Sequence, residues 1–267
     1  MLCRAQIVSF KTADLLDRCL ESLLRAQRAS SHQWETCVVD NGSGEDLSFL
    51  LDRYGDDVDV VHYPENLGFG SAHNRMADSG PQPDVYVLVN PDCVVPEGTD
   101  LDRLLERVSR PEVAVVGPRL VHPDGGQQVW DHAELRGLRA RWALAAGDSF
   151  TRHQGGGRDV AWVSGAFFLI KGDVFRAMTG FDERFFLYKE EEDLCLRVRR
   201  RGYRVRYEPA TTIVHVEGVS GARPEHLRRS IEVFKEIHHR PGSVRFRMAS
   251  LSFKVATRIP GLIRSPG

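Results

Sequence analysis

Residues 3–40 read CRAQIVSFKTADLLDRCLESLLRAQRASSHQWETCVVD. A β-rich apolar run, Cys3 to Phe10, is followed by apolar residues at helical spacing, Leu15, Leu16, Cys19, Leu20 and Leu23, and then by a second run, Glu35 to Asp40. Thr12 is expected to cap the helix between them. The pattern repeats outward: DVDVVHY at 57–63, a helix after Gly70, DVYVLVN at 84–90 and EVAVVGPRL at 112–120. Strands alternating with crossovers of a dozen or more residues predict an α/β fold with a parallel, doubly wound central sheet flanked by helices. Beyond it, the polar, Gly-rich stretch from Pro123 to Arg158 reads as a loop with one helix near Ala133 to Ala145. Then come DVAWVSGAFFLIKGDVF at 159–175, an acidic helix, two strands, YRVRYEP and TTIVHVEG, and a helix from Pro224 to His238.

The 267 residues can bury one sizeable core. No apolar run approaches the roughly 20 residues of a membrane-spanning helix. The N-terminus lacks the continuous apolar region of a signal peptide, which predicts a cytoplasmic protein. Five cysteines without a Cys-x-x-Cys pair predict reduced thiols rather than a zinc site. The net charge is −1, but no Asp or Glu follows Glu236 while six Arg and Lys do, so the tail carries +6 and the rest −7. No nucleic-acid recognition motif is present in the body. Residues 1–240 are expected to form one domain. In 241–267, Val244, Met248, Leu251, Val255, Ile259 and Leu262 recur at helical spacing with Arg247, Lys254 and Arg258 on another side. That pattern fits either peripheral contact with the inner face of a membrane or a helix packed on the body.

In doubly wound sheets ligands bind at the carboxyl ends of the strands, so the residues leaving each strand are the candidates. Asp40 enters the turn DNGSGED and offers a carboxylate to a nucleobase or ribose; the alternative is an Asx turn. In NLGFGSAHN, Gly68 and Gly70 open a helix whose amides could face phosphate, while Asn66 and Asn74 suit a polar pocket. Asp92, in Asn90-Pro91-Asp92, ends a buried strand where an unpaired charge is costly, which fits a hard divalent cation. His215, in IVHVEG, is structural unless it meets Asp92. In FLYKEEEDLCLRVRRRGY, 186–203, four acids begin a helix. At about 100° per residue, Glu191 falls on the face of Leu194, Cys195 and Val198, while Asp193 turns toward Arg197 and Glu192 toward Arg199. Glu191 is therefore the candidate working carboxylate.

Together VVDNGSGED, NLGFGSAHNR, VLVNPDC, VSGAFFLIKGDVF, GFDERFFLYKEEEDLCLRVRRRGY and VHVEGVSG resemble, in order, the motifs of family 2 glycosyltransferases. These are inverting enzymes of the GT-A fold, and among them the motifs resemble the bacterial rhamnosyltransferase-like branch. The resemblance implies that Ser9, Phe10 and Asp40 hold the nucleotide's base and that Asn66 to Asn74 flank the nucleotide. It places Asn90-Pro91-Asp92 at the family's Asp-x-Asp, with Asp92 and His215 holding Mg²⁺ or Mn²⁺. Ser164, Gly165 and Ala166 match the loop beside the donor sugar. Glu190-Glu191 match the family's Glu-Asp pair, whose second member is the catalytic base; Glu stands here for Asp, so either the helix is set back or Asp193 shares the role.

The implied activity is metal-dependent, inverting transfer from a dTDP- or UDP-sugar, dTDP-rhamnose among them, to a hydroxyl of a saccharide, lipid-linked glycan or small molecule. The alternatives weighed are a non-catalytic nucleotide-sugar-binding scaffold and a sugar nucleotidyltransferase. The second would need a Gly-rich loop after the first strand, which VSFKTADL lacks.

Overall fold

A computed structural model describes residues 1–145, 150–151, 155–216 and 224–238. The opening unit folds as β1 (Leu2–Ser9), α1 (Ala13–Arg28) and β2 (Gln33–Asn41), with β1 and β2 parallel. Leu16, Cys19, Leu20 and Leu23 are buried along α1. Thr12 does not cap the helix with its side chain. Its hydroxyl is shared with Ser9 Oγ at 3.0 Å, and Glu45 takes the cap instead, accepting from the Thr12 amide at 2.9 Å and the Ala13 amide at 3.4 Å. A carboxylate there also complements the helix dipole.

The chain continues through α2 (Ser48–Tyr54), β3 (Asp59–Tyr63), α3 (Phe69–Ala77), β4 (Val85–Val89), β5 (Cys93–Val94), α4 (Asp102–Val108) and β6 (Val113–Val121). Then come β7 (His132–Glu134), α5 (Leu138–Ala145), β8 (Arg158–Val163), β9 (Phe167–Lys171), α6 (Gly172–Ala177), α7 (Glu190–Arg200), β10 (Arg204–His215) and α8 (Pro224–His238). The sheet order is β3-β2-β1-β4-β9-β6-β10-β8-β7, with β5 set against β10. Pairings among β3, β2, β1 and β4 are parallel, as is β6 with β10, while β9 runs against both its neighbours.

The sheet separates two cores. Along β4, Val85, Val87 and Val89 enter one cluster with Leu20, Val38 and Leu104, and Tyr86 and Leu88 enter the other with Phe168, Leu194 and Tyr207. Every residue of β4 is buried, because both faces of the sheet are covered at this strand. The cysteines are free thiols, four buried and Cys37 half-buried.

Two further expectations change. YRVRYEP and TTIVHVEG form the single strand β10, with a register shift between Glu208 and Thr212. Pro209 lies in that shift, where its missing N–H costs no ladder bond. The expected helix from Ala133 begins at Leu138, because His132, Ala133 and Glu134 pair with β8 instead. The helix at 224–238 forms as expected, whereas the tail, 241–267, lies outside the described residues. Among the described residues no helix is long and apolar enough to cross a membrane.

Candidate active site

The strand order reverses between β1 and β4, the place where doubly wound sheets open a crevice at the carboxyl ends of their strands. Ser9 sits in register with Asp40 across β1 and β2, and Ile7 with Val89 across β1 and β4, so Ser9, Asp40 and Asn90 leave the sheet on one edge. Asp40 is buried and forms the Asx turn, its Oδ1 accepting from the Ser43 amide at 2.9 Å, while Oδ2 lies 3.5 Å from His62 Nδ1. Phe10 is half-buried. Lys11 beside it holds a left-handed φ of 59°.

Asn66 braces its own turn: Oδ1 accepts from Asn41 Nδ2 at 3.0 Å and from the Gly68 amide at 2.9 Å. Gly68 has φ 81°, and a Cβ there would lie 2.2 Å from the Phe186 carbonyl oxygen. That oxygen accepts the Phe69 amide at 2.9 Å, so the first turn of α3 is docked on the segment before α7. The Gly68 and Phe69 amides are thus engaged within the protein. Gly70 packs against Phe181 and Glu190. Asn74 also leaves its expected pocket role, because its side chain clamps the Phe181 backbone at both N (2.8 Å) and O (2.9 Å).

The turn after β4 meets the loop before β9. The Asn90 amide donates to Ala166 O at 2.8 Å, the Ala166 amide to Ser164 Oγ at 3.3 Å, and a Cβ on Gly165 would approach Phe69 at 3.3 Å and Glu191 Cβ at 3.9 Å. Asp92 converges with His215, Oδ1 to Nε2 being 3.2 Å, as β5 pairs Cys93 with His215. Asp92, Cys93 and His215 offer three ligand atoms within 4.8 Å of one another. Burial pushes the Cys93 thiol well up, and it donates to Ala166 O at 3.2 Å, so oxygen and imidazole remain as donors. That pair suits a hard or borderline divalent cation.

The four acids of α7 do not repel one another freely, because each has its own surroundings. Glu190 is buried, and desolvation followed by the charge of Glu191 holds its carboxyl well above the usual range. Glu192 pairs with Lys189 at 2.7 Å rather than with Arg199. Asp193 is fully buried, its Oδ2 on Arg197 Nε and its Oδ1 on His238 Nε2, both at 2.7 Å. Glu191, expected to point furthest inward, is half-buried and pushed up to about 7 by desolvation and then by Glu192. The inward positions fall to Glu190 and Asp193 because α3 covers one side of α7 and α8 another. Tyr188 and Lys189 enter the helix with left-handed φ of 73° and 71°. Such non-glycine residues cost about 1–3 kcal/mol each and cluster at working sites.

The model of the family described as glycosyl transferase family 2 matches residues 6–179. The chain belongs to this family. An N-acetylglucosaminyl-diphospho-decaprenol L-rhamnosyltransferase of Mycobacterium tuberculosis is 29% identical over 242 residues, 81% of this chain and 76% of that protein. An O-antigen biosynthesis protein, RfbC, of Myxococcus xanthus is 31% identical over 224 residues, 80% of this chain but 17% of that protein. Among solved structures, a mannosyltransferase from Pyrobaculum calidifontis in complex with GDP-Man and Mn²⁺ superposes with a TM-score of 0.63 at 14% identity, covering 96% of this chain and 74% of that one. The expected GT-A glycosyltransferase fold is borne out.

Sequence reasoning passed over two residues at the candidate site. Gln128 touches His215, its Oε1 2.9 Å from Nδ1, and the Asp131 carbonyl accepts the Ser164 amide at 2.9 Å. Both lie in the stretch read as a loop. The available signal was PDGG at 123–126, a turn sequence that returns the chain along β6, with a bridge between Val121 and Gln127.

Proposed function

We propose that this family 2 glycosyltransferase transfers L-rhamnose from dTDP-rhamnose to a hydroxyl of a lipid-linked saccharide, in one displacement that inverts the anomeric carbon. The observation that carries the mechanism is Glu191, whose carboxyl is pushed to about 7 beside the loop of Ser164, Gly165 and Ala166. A group near neutral is both ionised often enough and basic enough to take a hydroxyl proton. Glu191 removes that proton, the acceptor oxygen bonds to the anomeric carbon, and the bond to the diphosphate oxygen breaks on the opposite face. Burial and the charge of Glu191 hold the Glu190 carboxyl well above its ordinary range, which favours Glu191 over Glu190 as the ionised member of the pair. Asp193, with both oxygens committed, is a poor second base.

Ser9, Phe10 and Asp40 line the base end of the donor crevice, while Ser164, Gly165 and Ala166 border the sugar. Asp92 and His215 would hold Mg²⁺ or Mn²⁺. When bound, the cation offsets the charge that develops on the departing diphosphate. The mannosyltransferase bound to GDP-Man and Mn²⁺ supports a divalent ion, and the name of the mycobacterial relative supports rhamnose and a polyprenyl-linked acceptor. The basic, apolar tail of 241–267 suits peripheral contact with an anionic membrane holding such an acceptor.

Calorimetry of dTDP, UDP, GDP and CDP, each with and without Mn²⁺, tests the reading. Binding of dTDP that requires Mn²⁺ and disappears in Asp92→Asn is expected. Preference for another nucleotide would overturn the donor, and no binding to any of the four would overturn the donor site.

A further inference from the structure

Gln128 is buried, 3% exposed, and its carboxamide orientation is fixed by chemistry. One end lies 2.8 Å from the His215 carbonyl oxygen, which can only accept, so that end is the Nε2 donor. The other end, Oε1, is then an acceptor 2.9 Å from His215 Nδ1, and Nδ1 must carry the hydrogen. A neutral ring protonated at Nδ1 leaves Nε2 with a bare lone pair. That atom faces Asp92 Oδ1 at 3.2 Å and Asn90 Nδ2 at 3.4 Å.

We propose that Gln128 is a positioning residue: it holds His215 in the Nδ1–H tautomer and aims Nε2 at Asp92, so that the two present converging lone pairs to a divalent cation. A free imidazole favours the opposite, Nε2–H tautomer, which would turn a hydrogen toward the place of the ion. Metal-bound histidines generally need such a partner on the second nitrogen to set tautomer and ring angle.

The backbone around Gln128 is itself held. Gln127 Nε2 donates to Asp131 Oδ2 at 3.0 Å and to the Tyr207 hydroxyl at 2.9 Å, that hydroxyl donates to Asp131 Oδ2 at 2.8 Å, and Tyr207 stacks on His132 with ring centroids 4.0 Å apart. The Asp131 carbonyl then takes the Ser164 amide. One short segment, 127–131, therefore sets both the cation ligand and the loop beside the donor sugar. The inference rests on the reading of Asp92 and His215 as a cation site.

The test uses metal-free protein at about pH 8.5, above the ordinary imidazole range. Long-range ¹H–¹⁵N spectra report the His215 tautomer, with His215→Asn assigning the signals, and electron paramagnetic resonance of free Mn²⁺ measures its affinity with dTDP present. The wild type is expected to show Nδ1–H. Gln128→Met, close in shape but unable to accept a hydrogen bond, is expected to move to Nε2–H and lose about 10–100-fold in Mn²⁺ affinity. Gln128→Glu, which retains the acceptor, is expected to keep Nδ1–H and stands in should the Met variant not fold. An Nδ1 without its hydrogen in the wild type or in Gln128→Glu, or Mn²⁺ affinity in Gln128→Met within twofold of wild type, overturns the role of Gln128. Unchanged affinity in Asp92→Asn would instead overturn the cation site itself, so the two failures are told apart.

Discussion

The β1–β4 half of the sheet and the region of β7, β8, α7 and α8 hold their polar groups over different sequence distances. In the first, Ser9 meets Thr12 three residues on, Asp40 meets Ser43 three on, and Asn66 meets Gly68 two on. In the second, Gln128 meets His215 across 87 residues, Tyr207 meets Asp131 across 76, and Asp193 meets His238 across 45. Local turns shape these strand ends, although Glu45 also reaches Thr12 across 33 residues and Asn66 reaches Asn41 across 25. The second region assembles only when distant elements dock, so a lesion there is expected to spread further.

The largest effect should come from Glu191→Gln, with kcat lowered about 10²–10⁴-fold and Mn²⁺-dependent nucleotide binding kept. Rate assays beside calorimetry check this, and wild-type turnover would remove Glu191 from the mechanism. A base acts when ionised, so the wild-type rate should rise with pH through about 7, the value to which the Glu191 carboxyl is pushed. A pH profile flat from 5.5 to 8.5, roughly one and a half units on either side, would contradict that.

Next, Arg197→Ala leaves the buried Asp193 carboxylate with His238 as its remaining described ion-pair partner and removes donors to Met178 O and Gly180 O. A loss of about 3–5 kcal/mol is expected in urea unfolding. A loss under about 1 kcal/mol would mean that Asp193 is held well enough without Arg197.

Gly68→Ala tests the seam between the two regions. Its left-handed φ of 81° and the Phe186 oxygen, 2.2 Å from a Cβ, predict about 1–3 kcal/mol of destabilisation and a shifted α7. Thermal melts and nucleotide affinity together would show whether the strain crosses the seam.

The smallest effect belongs to the β1–β4 half. Glu45→Ala removes the cap on α1 and should cost about 1 kcal/mol with kcat unchanged. A large fall in kcat would show that the first half is as interdependent as the second.

Most of the architecture was legible along the chain. Leu16, Cys19, Leu20 and Leu23 recur at helical spacing, and the continuous apolar run of β4 announces a strand covered on both faces. The motifs also put Ser9, Asp40, Asn90 and Asp92 at strand ends. What misled was any inference from one element alone. Glu191 appeared the innermost acid of α7 when the helix was given a single core face, whereas α3 and α8 cover it on two sides and bury Glu190 and Asp193. Asn74 looked like a ligand group until the loop at Phe181 arrived to take its amide.

Periodicity and turn chemistry act between residues a few positions apart, so the sequence by itself determined most of the helices, the parallel strands β1 to β4 and the edge where the candidate site lies, while the antiparallel β9 and the short β7 came only with the structure. Desolvation, ion pairing and tautomer choice depend on whichever atoms end up within a few ångströms. The tertiary structure alone decided that Glu191 titrates near neutral, that Asp193 is consumed by Arg197 and His238, and that Gln128 reaches His215.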